Sequence, residues 1–258
     1  MVYANGIGPI NKPKNRENAK AVLSKADYIT LREADSFDEL KSLGINGKNV
    51  KVTADPALTI VPADGKRADE LLKACGADAN EKLIGISVRN WKNCRADFMD
   101  SVSGALDAIC EKYNLVPLFL PLKFPEDIQT SNELASKMTT KGHIITQKLT
   151  AKEIVAVTGR CKTILAMRLH SLIYAANTNI PTVAIAYDPK VSGFMNYLGM
   201  EDYVPAETLT KEELVASLEK VILNEELIKE KLAQNIKNLD IKARENAELA
   251  LGLIKEEA

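Results

Sequence analysis

Arg32, Arg89, Arg168 and Lys190 each stand just after a short run rich in valine and isoleucine, with the carboxyl groups of Glu33, Asp55 and Asp188 close by in the chain. An arginine fork donates two parallel hydrogen bonds to a carboxylate or phosphate, and lysine supplies a compact positive charge. Cations placed after several such runs outline an anion site. His170 follows closely on Arg168, in Ala166-Met167-Arg168-Leu169-His170-Ser171, where a strand would give way to a helix. Free N–H groups and the helix dipole attract anions at such a junction, and an imidazole there can donate a proton. Taken singly, each residue has an ordinary alternative: a loop cation on the surface, or a capping or packing histidine. His143, which precedes the apolar pair Ile144-Ile145, takes a surface or packing role.

These positions acquire meaning only if the runs are strands of a parallel sheet. Apolar runs at 28–31, 50–53, 83–88, 115–120, 143–146, 163–166 and 182–186 alternate with helically periodic stretches at 36–43, 97–113, 128–138, 150–158 and 170–177. Short apolar strands separated by helices of ~10–15 residues predict an α/β fold, a Rossmann-like parallel sheet with helices on both faces. Ligands of such sheets sit in the crevice at the carboxyl ends of the strands, where the cations fall. Ser36 with Glu39, Thr150 with Glu153 and Thr210 with Glu213 have capping-box spacing, so each predicts a helix start. Residues 1–62 read as the end of one Rossmann-like domain, 62–66 as a polar linker and 67–209 as a complete second domain. Residues 210–258 read as C-terminal helices with an apolar stripe at Leu214, Leu218 and Val221.

Composition narrows the function classes. The 258 residues are 46% hydrophobic and 27% charged, too apolar for a disordered chain. With 34 basic residues against 35 acidic, the chain lacks the basic excess of a nucleic-acid binder. No apolar run reaches the ~18 residues of a membrane span, and residues 1–9 lack a signal-peptide pattern. Cys75, Cys94, Cys110 and Cys161 are too far apart for a Cys-x-x-Cys pair, and with two histidines in the chain a zinc site is not expected. The expectation is a cytoplasmic chain with reduced thiols and no metal or other cofactor. Neither a Gly-x-Gly-x-x-Gly nor a phosphate-loop motif occurs, which removes support for NAD binding and ATP hydrolysis. Gly6 and Gly8, in Gly6-Ile7-Gly8-Pro9, either let a backbone approach a phosphate or form a plain tight turn. Trp91, the one tryptophan, covers a sugar or caps the core.

Several runs together resemble the polysaccharide pyruvyl transferases, in particular bacterial ones that modify secondary cell-wall polymers. They are Tyr3 to Ile10, Ile29-Thr30-Leu31-Arg32-Glu33 with Ser36, Asp55-Pro56-Ala57, and Ile86-Ser87-Val88-Arg89. The most specific are Met167-Arg168-Leu169-His170-Ser171-Leu172-Ile173-Tyr174-Ala175-Ala176 and Tyr187-Asp188-Pro189-Lys190-Val191. The resemblance implies two Rossmann-like domains in a glycosyltransferase-B-like arrangement. It implies transfer of the pyruvyl group of phosphoenolpyruvate onto a sugar to form a cyclic ketal. On this resemblance Arg168, His170 and Lys190 are the catalytic set. Leu169, Ser171, Asp188, Gly6 and Gly8 join the substrate-binding set, and Arg32 or Arg89 supplies the remaining donor-binding arginine. His170 is the general acid, or binds the phosphate and assists its departure.

The implied partners are phosphoenolpyruvate and a sugar acceptor, which if lipid-linked would bring the chain to the inner face of the cell membrane. A homo-oligomer stays open. The resemblance also implies that about 100 residues of a first domain are missing before Gly6, so that the first domain is incomplete. The chain would then be a fragment, or a short form needing a partner. Two rival readings remain: a nucleotide-sugar glycosyltransferase or epimerase on the same fold, and a non-catalytic anion- or sugar-binding remnant.

Overall fold

The computed structural model describes residues 1–256, and the last two residues of the expected C-terminal helices lie outside the described residues. The chain folds as two compact units, residues 1–59 with 234–258 and residues 60–233.

The larger unit is a six-stranded sheet in the order β6-β5-β4-β7-β8-β9, parallel throughout. Its strands are β4 (Leu83–Ser87), β5 (Val116–Phe119), β6 (His143–Ile144), β7 (Cys161–Ala166), β8 (Thr182–Ala186) and β9 (Tyr203–Pro205). All five β4 residues are buried, as expected of a central strand covered on both faces. Gly85 sits where β4 and β7 are in register, and a Cβ there would fall 2.3 Å from Ile164 Cδ1. Helices α3 (Gly65–Ala74), α4 (Phe98–Tyr113), α5 (Glu126–Lys137), α6 (Ala151–Thr158), α7 (Leu169–Asn177), α8 (Pro189–Tyr197) and α9 (Lys211–Leu223) connect and cover the strands. Leu214, Leu218 and Val221 of α9 are fully buried, so the stripe packs on its own unit.

The chain lays down β4, β5 and β6 toward one edge, then returns beside β4 and lays down β7, β8 and β9 toward the other. The direction of winding therefore reverses between β4 and β7. At that switch point the loops diverge and a crevice opens at the carboxyl ends of the strands.

The smaller unit has a three-stranded parallel sheet of β1 (Val2–Asn5), β2 (Ile29–Leu31) and β3 (Val50–Val52) in that order. Ile29, Leu31, Leu40 and Leu43 form its core with α1 (Pro13–Leu23) and α2 (Ala34–Ser42). The second part of α10 (Glu225–Glu256) belongs to this unit and is anchored by Asn246. The buried Asn246 amide donates to the Ala54 carbonyl (3.0 Å) and accepts from the Thr53 hydroxyl (2.8 Å), satisfying a polar group that burial would otherwise penalise.

Two local expectations are corrected. The stretch 62–66 is no free linker: Asp64 caps α3 by accepting from Lys66 N at 2.7 Å, so its polar residues start a helix. Ser36 is not a cap either, because α2 begins at Ala34 and the Ser36 hydroxyl is buried in a network described below. The boxes at Thr150 with Glu153 and Thr210 with Glu213 form in full. Among the described residues no helix is long and apolar enough to cross a membrane.

Candidate functional site

In the larger unit β4 runs on into Val88 and Arg89, and β7 into Met167 and Arg168. The backbone ties these ends together, since Met167 N donates to the Ser87 carbonyl at 2.9 Å. Side chains extend the tie: the Ser171 hydroxyl donates to Ser87 Oγ (2.7 Å), which donates to the Leu120 carbonyl (3.0 Å). Ser171 and Leu169 are both buried, so they brace α7 against the sheet. Arg168 occupies the position before α7, and His170 lies in the first turn, exposed, with its ring 6.1 Å from that of Tyr174.

Asp127, at the start of α5 and 1% exposed, holds Arg168. Its Oδ2 accepts from Arg168 Nε (3.0 Å), Lys123 N (2.8 Å) and Leu122 N (3.1 Å), while Oδ1 accepts from Arg168 Nη2. A buried carboxylate needs that many donors to be tolerated. The fork is thus fixed in direction, and Nη1 has no partner among the described residues.

Arg89 is held differently. Nη1 donates to the Tyr187 hydroxyl at 3.1 Å, and the guanidinium carbon lies 4.8 Å from the Tyr187 ring centre and 5.6 Å from that of Trp91. Trp91 packs on Tyr187 at 4.9 Å. No carboxylate pairs with Arg89 among the described residues. Lys190 shares the same ring, 5.6 Å from its centre, and pairs with Asp188 at 3.2 Å. Asp188 also caps α8 through Lys190 N.

Arg89 and Arg168 open onto one cavity of about 280 Å³, with Asn90, Lys123, Glu126 and Asp127 in its wall. It is slightly smaller than the ~300 Å³ at which pockets for drug-sized ligands begin. Glu133 adds a third carboxylate, so the wall is formally neutral rather than cationic. Lys123 pairs with Glu126 at 2.8 Å and holds that carboxyl below its usual range. Arg89 and Arg168 nonetheless keep guanidinium N–H donors with no partner among the described residues.

In the smaller unit Arg32 directly follows β2 and lies between two carboxylates. Nε donates to Glu33 Oε2 at 2.9 Å and Nη1 to Asp55 Oδ2 at 3.1 Å. Glu33 also accepts from the Ser36 hydroxyl (2.6 Å), and Ser36 Oγ accepts from Ile7 N (2.7 Å). Gly6 lets the backbone close on this group, since a Cβ there would stand 2.7 Å from Arg32 Nη2. Gly8 has φ +103°, a conformation that glycine adopts without strain. The motif residues of 3–10, 29–36 and 55–57 therefore meet in one network. His143 bonds Glu81 at 2.8 Å, partly buried, in keeping with a packing role.

Sequence reasoning missed Asp127 and did not single out Tyr187 from its motif. Asp127 gave no signal, since its partner lies 41 positions away; an acid just inside a helix is common.

Parallel strands flanked by covering helices place both units in the α/β class. Residues 1–189 match the polysaccharide pyruvyl transferase family, and the chain belongs to it. It is 23% identical over 254 residues to the amylovoran biosynthesis protein AmsJ of Erwinia amylovora, covering 91% of this chain and 60% of that protein. The chain thus spans about three-fifths of that relative's length. By fold it is similar to the UDP-GlcNAc 2-epimerase of Neisseria meningitidis bound to UDP-GlcNAc, with TM-score 0.66, 15% identity, and 93% and 64% of the two chains covered. It is also similar to an Anabaena protein solved with UDP-glucose, with TM-score 0.58, 14% identity, and 94% and 68% covered. These structures are glycosyltransferase-B-like, and the likeness concerns the fold.

Proposed function

We propose that the chain moves the pyruvyl group of phosphoenolpyruvate onto a sugar of a cell-wall or surface polysaccharide precursor, forming a cyclic ketal. The supporting observation is the shared cavity at the β4/β7 switch point, where two arginines present uncommitted donors in a member of this family. Phosphoenolpyruvate carries a carboxylate and a phosphate, each suited to an arginine fork.

The reaction needs a proton on the methylene carbon of the donor, which becomes a methyl group and leaves an oxocarbenium-like centre. A sugar hydroxyl adds to that centre and loses its proton. A second hydroxyl then displaces inorganic phosphate and closes the ring. His170, exposed beside Arg168 in the first turn of α7, is the residue we assign to the first proton or to the departing phosphate. Arg168 and Arg89 offer guanidinium N–H donors to the donor anion, and Lys190, paired with Asp188, stands at the start of α8.

Thermal unfolding with added ligand tests this reading. Phosphoenolpyruvate is expected to raise Tm and UDP-GlcNAc to leave it unchanged. Protection by UDP-GlcNAc with no effect of phosphoenolpyruvate would replace the reading by a nucleotide-sugar enzyme on the same fold.

A further inference from the structure

We propose that Tyr187 is a positioning residue that presents Arg89 to the donor anion, an inference that rests on the phosphoenolpyruvate reading. Tyr187 follows β8 directly and is 7% exposed, so its ring is held among packed neighbours. Three side chains meet on it: Arg89 through the hydroxyl (3.1 Å) and the ring (4.8 Å), Lys190 at 5.6 Å, and Trp91 packed at 4.9 Å. It therefore joins the loop after β4 to the first turn of α8.

The chemistry of the contact matters more than its strength. A carboxylate that oriented Arg89 would also cancel its charge, as happens to Arg32 between Glu33 and Asp55. An aromatic face attracts a cation through its quadrupole, and a phenol accepts one hydrogen bond, yet neither carries a formal charge. The ring orients the guanidinium and leaves the positive charge whole for a ligand.

Calorimetric titration of phosphoenolpyruvate into the full chain tests this, with Tyr187→Phe, Tyr187→Leu, Arg89→Ala and the double variants. Loss of the hydroxyl in Tyr187→Phe removes one hydrogen bond and is expected to weaken binding about threefold to tenfold. Tyr187→Leu removes the ring as well and weakens it further. In the Arg89→Ala background Tyr187→Phe changes affinity by less than about twofold, because the residue through which it acts is gone. Trp91 is the only tryptophan, so its emission reports on the cluster and is expected to change on binding in wild type. Equal weakening by Tyr187→Phe in both backgrounds, or unchanged affinity of Tyr187→Phe and Tyr187→Leu, overturns the inference alone. Absence of phosphoenolpyruvate binding in wild type overturns the donor reading and this inference with it. If Tyr187→Leu fails to fold, Tyr187→Phe, which keeps the ring, carries the test.

Discussion

Arg32 and Arg89 stand at comparable places, each just beyond a parallel strand, and their surroundings differ. Arg32 is bound by two carboxylates and lies against a glycine that allows the backbone to close on it. Its charge is consumed by the network that joins the ends of β1, β2 and the segment after β3. Arg89 meets the hydroxyl and ring of Tyr187 and the ring of Trp91, and no carboxylate pairs with it among the described residues. Arg168 is intermediate, with one buried carboxylate fixing two of its nitrogens. The same residue type just beyond a strand is paired with two carboxylates in one unit and with none in the other.

The comparison can be broken in several ways. The largest expected effect belongs to His170→Ala, which should lower kcat for phosphate release about 100- to 10,000-fold if the imidazole supplies the proton. Unchanged turnover would remove His170 from the reaction. Next comes Arg168→Ala, which leaves Asp127 as a buried carboxylate without its cation and is expected to cost about 3–5 kcal/mol of stability by denaturant unfolding. Adding Asp127→Asn removes the orphaned charge and should recover part of that loss. If the double variant is no more stable than the single one, the pair is not the tie described here.

Arg32→Ala is expected to cost about 1–2 kcal/mol of stability, reduced by the partial exposure of the group, while a folded variant keeps its phosphoenolpyruvate affinity within about threefold. Loss of donor binding there would move Arg32 into the donor site and erase the contrast with Arg89. The smallest effect concerns Glu153, whose carboxyl is pushed down to about 2, first by the Thr150 backbone N–H and then by the Thr150 hydroxyl and Arg67. A lowered folded-state pKa stabilises above the unfolded value of ~4.3 and stops doing so as pH falls through the folded value. Glu153→Gln should therefore lower Tm slightly at neutral pH, and the gap should close as pH falls toward about 2.

Much of the larger sheet was legible because a strand buried on both faces reads as a mostly apolar run, as β4, β8 and the Ile164-Leu165-Ala166 end of β7 do. Other elements gave weaker signals. Helix α1 has no buried residue, so no apolar stripe marks it, and β9 is three residues with one buried. Ser36 with Glu39 matched the capping-box spacing, yet long-range pairing with Ile7 claimed the hydroxyl. The cations were legible as types after strands, but their partners were not. Asp127 and Arg168 are 41 positions apart and Arg89 and Tyr187 are 98 apart, so only the folded sheet shows which charges are spent.

The central claim is that the donor anion binds through the arginine that no carboxylate neutralises. Calorimetric titration of phosphoenolpyruvate into wild type, Arg89→Ala and Arg32→Ala tests it most directly. One charge-assisted contact is worth about 1.5–3 kcal/mol, so Arg89→Ala should bind roughly 10- to 100-fold more weakly than wild type. Arg32→Ala should bind nearly as wild type does. Equal affinity of Arg89→Ala and wild type, or a loss confined to Arg32→Ala, would contradict the account.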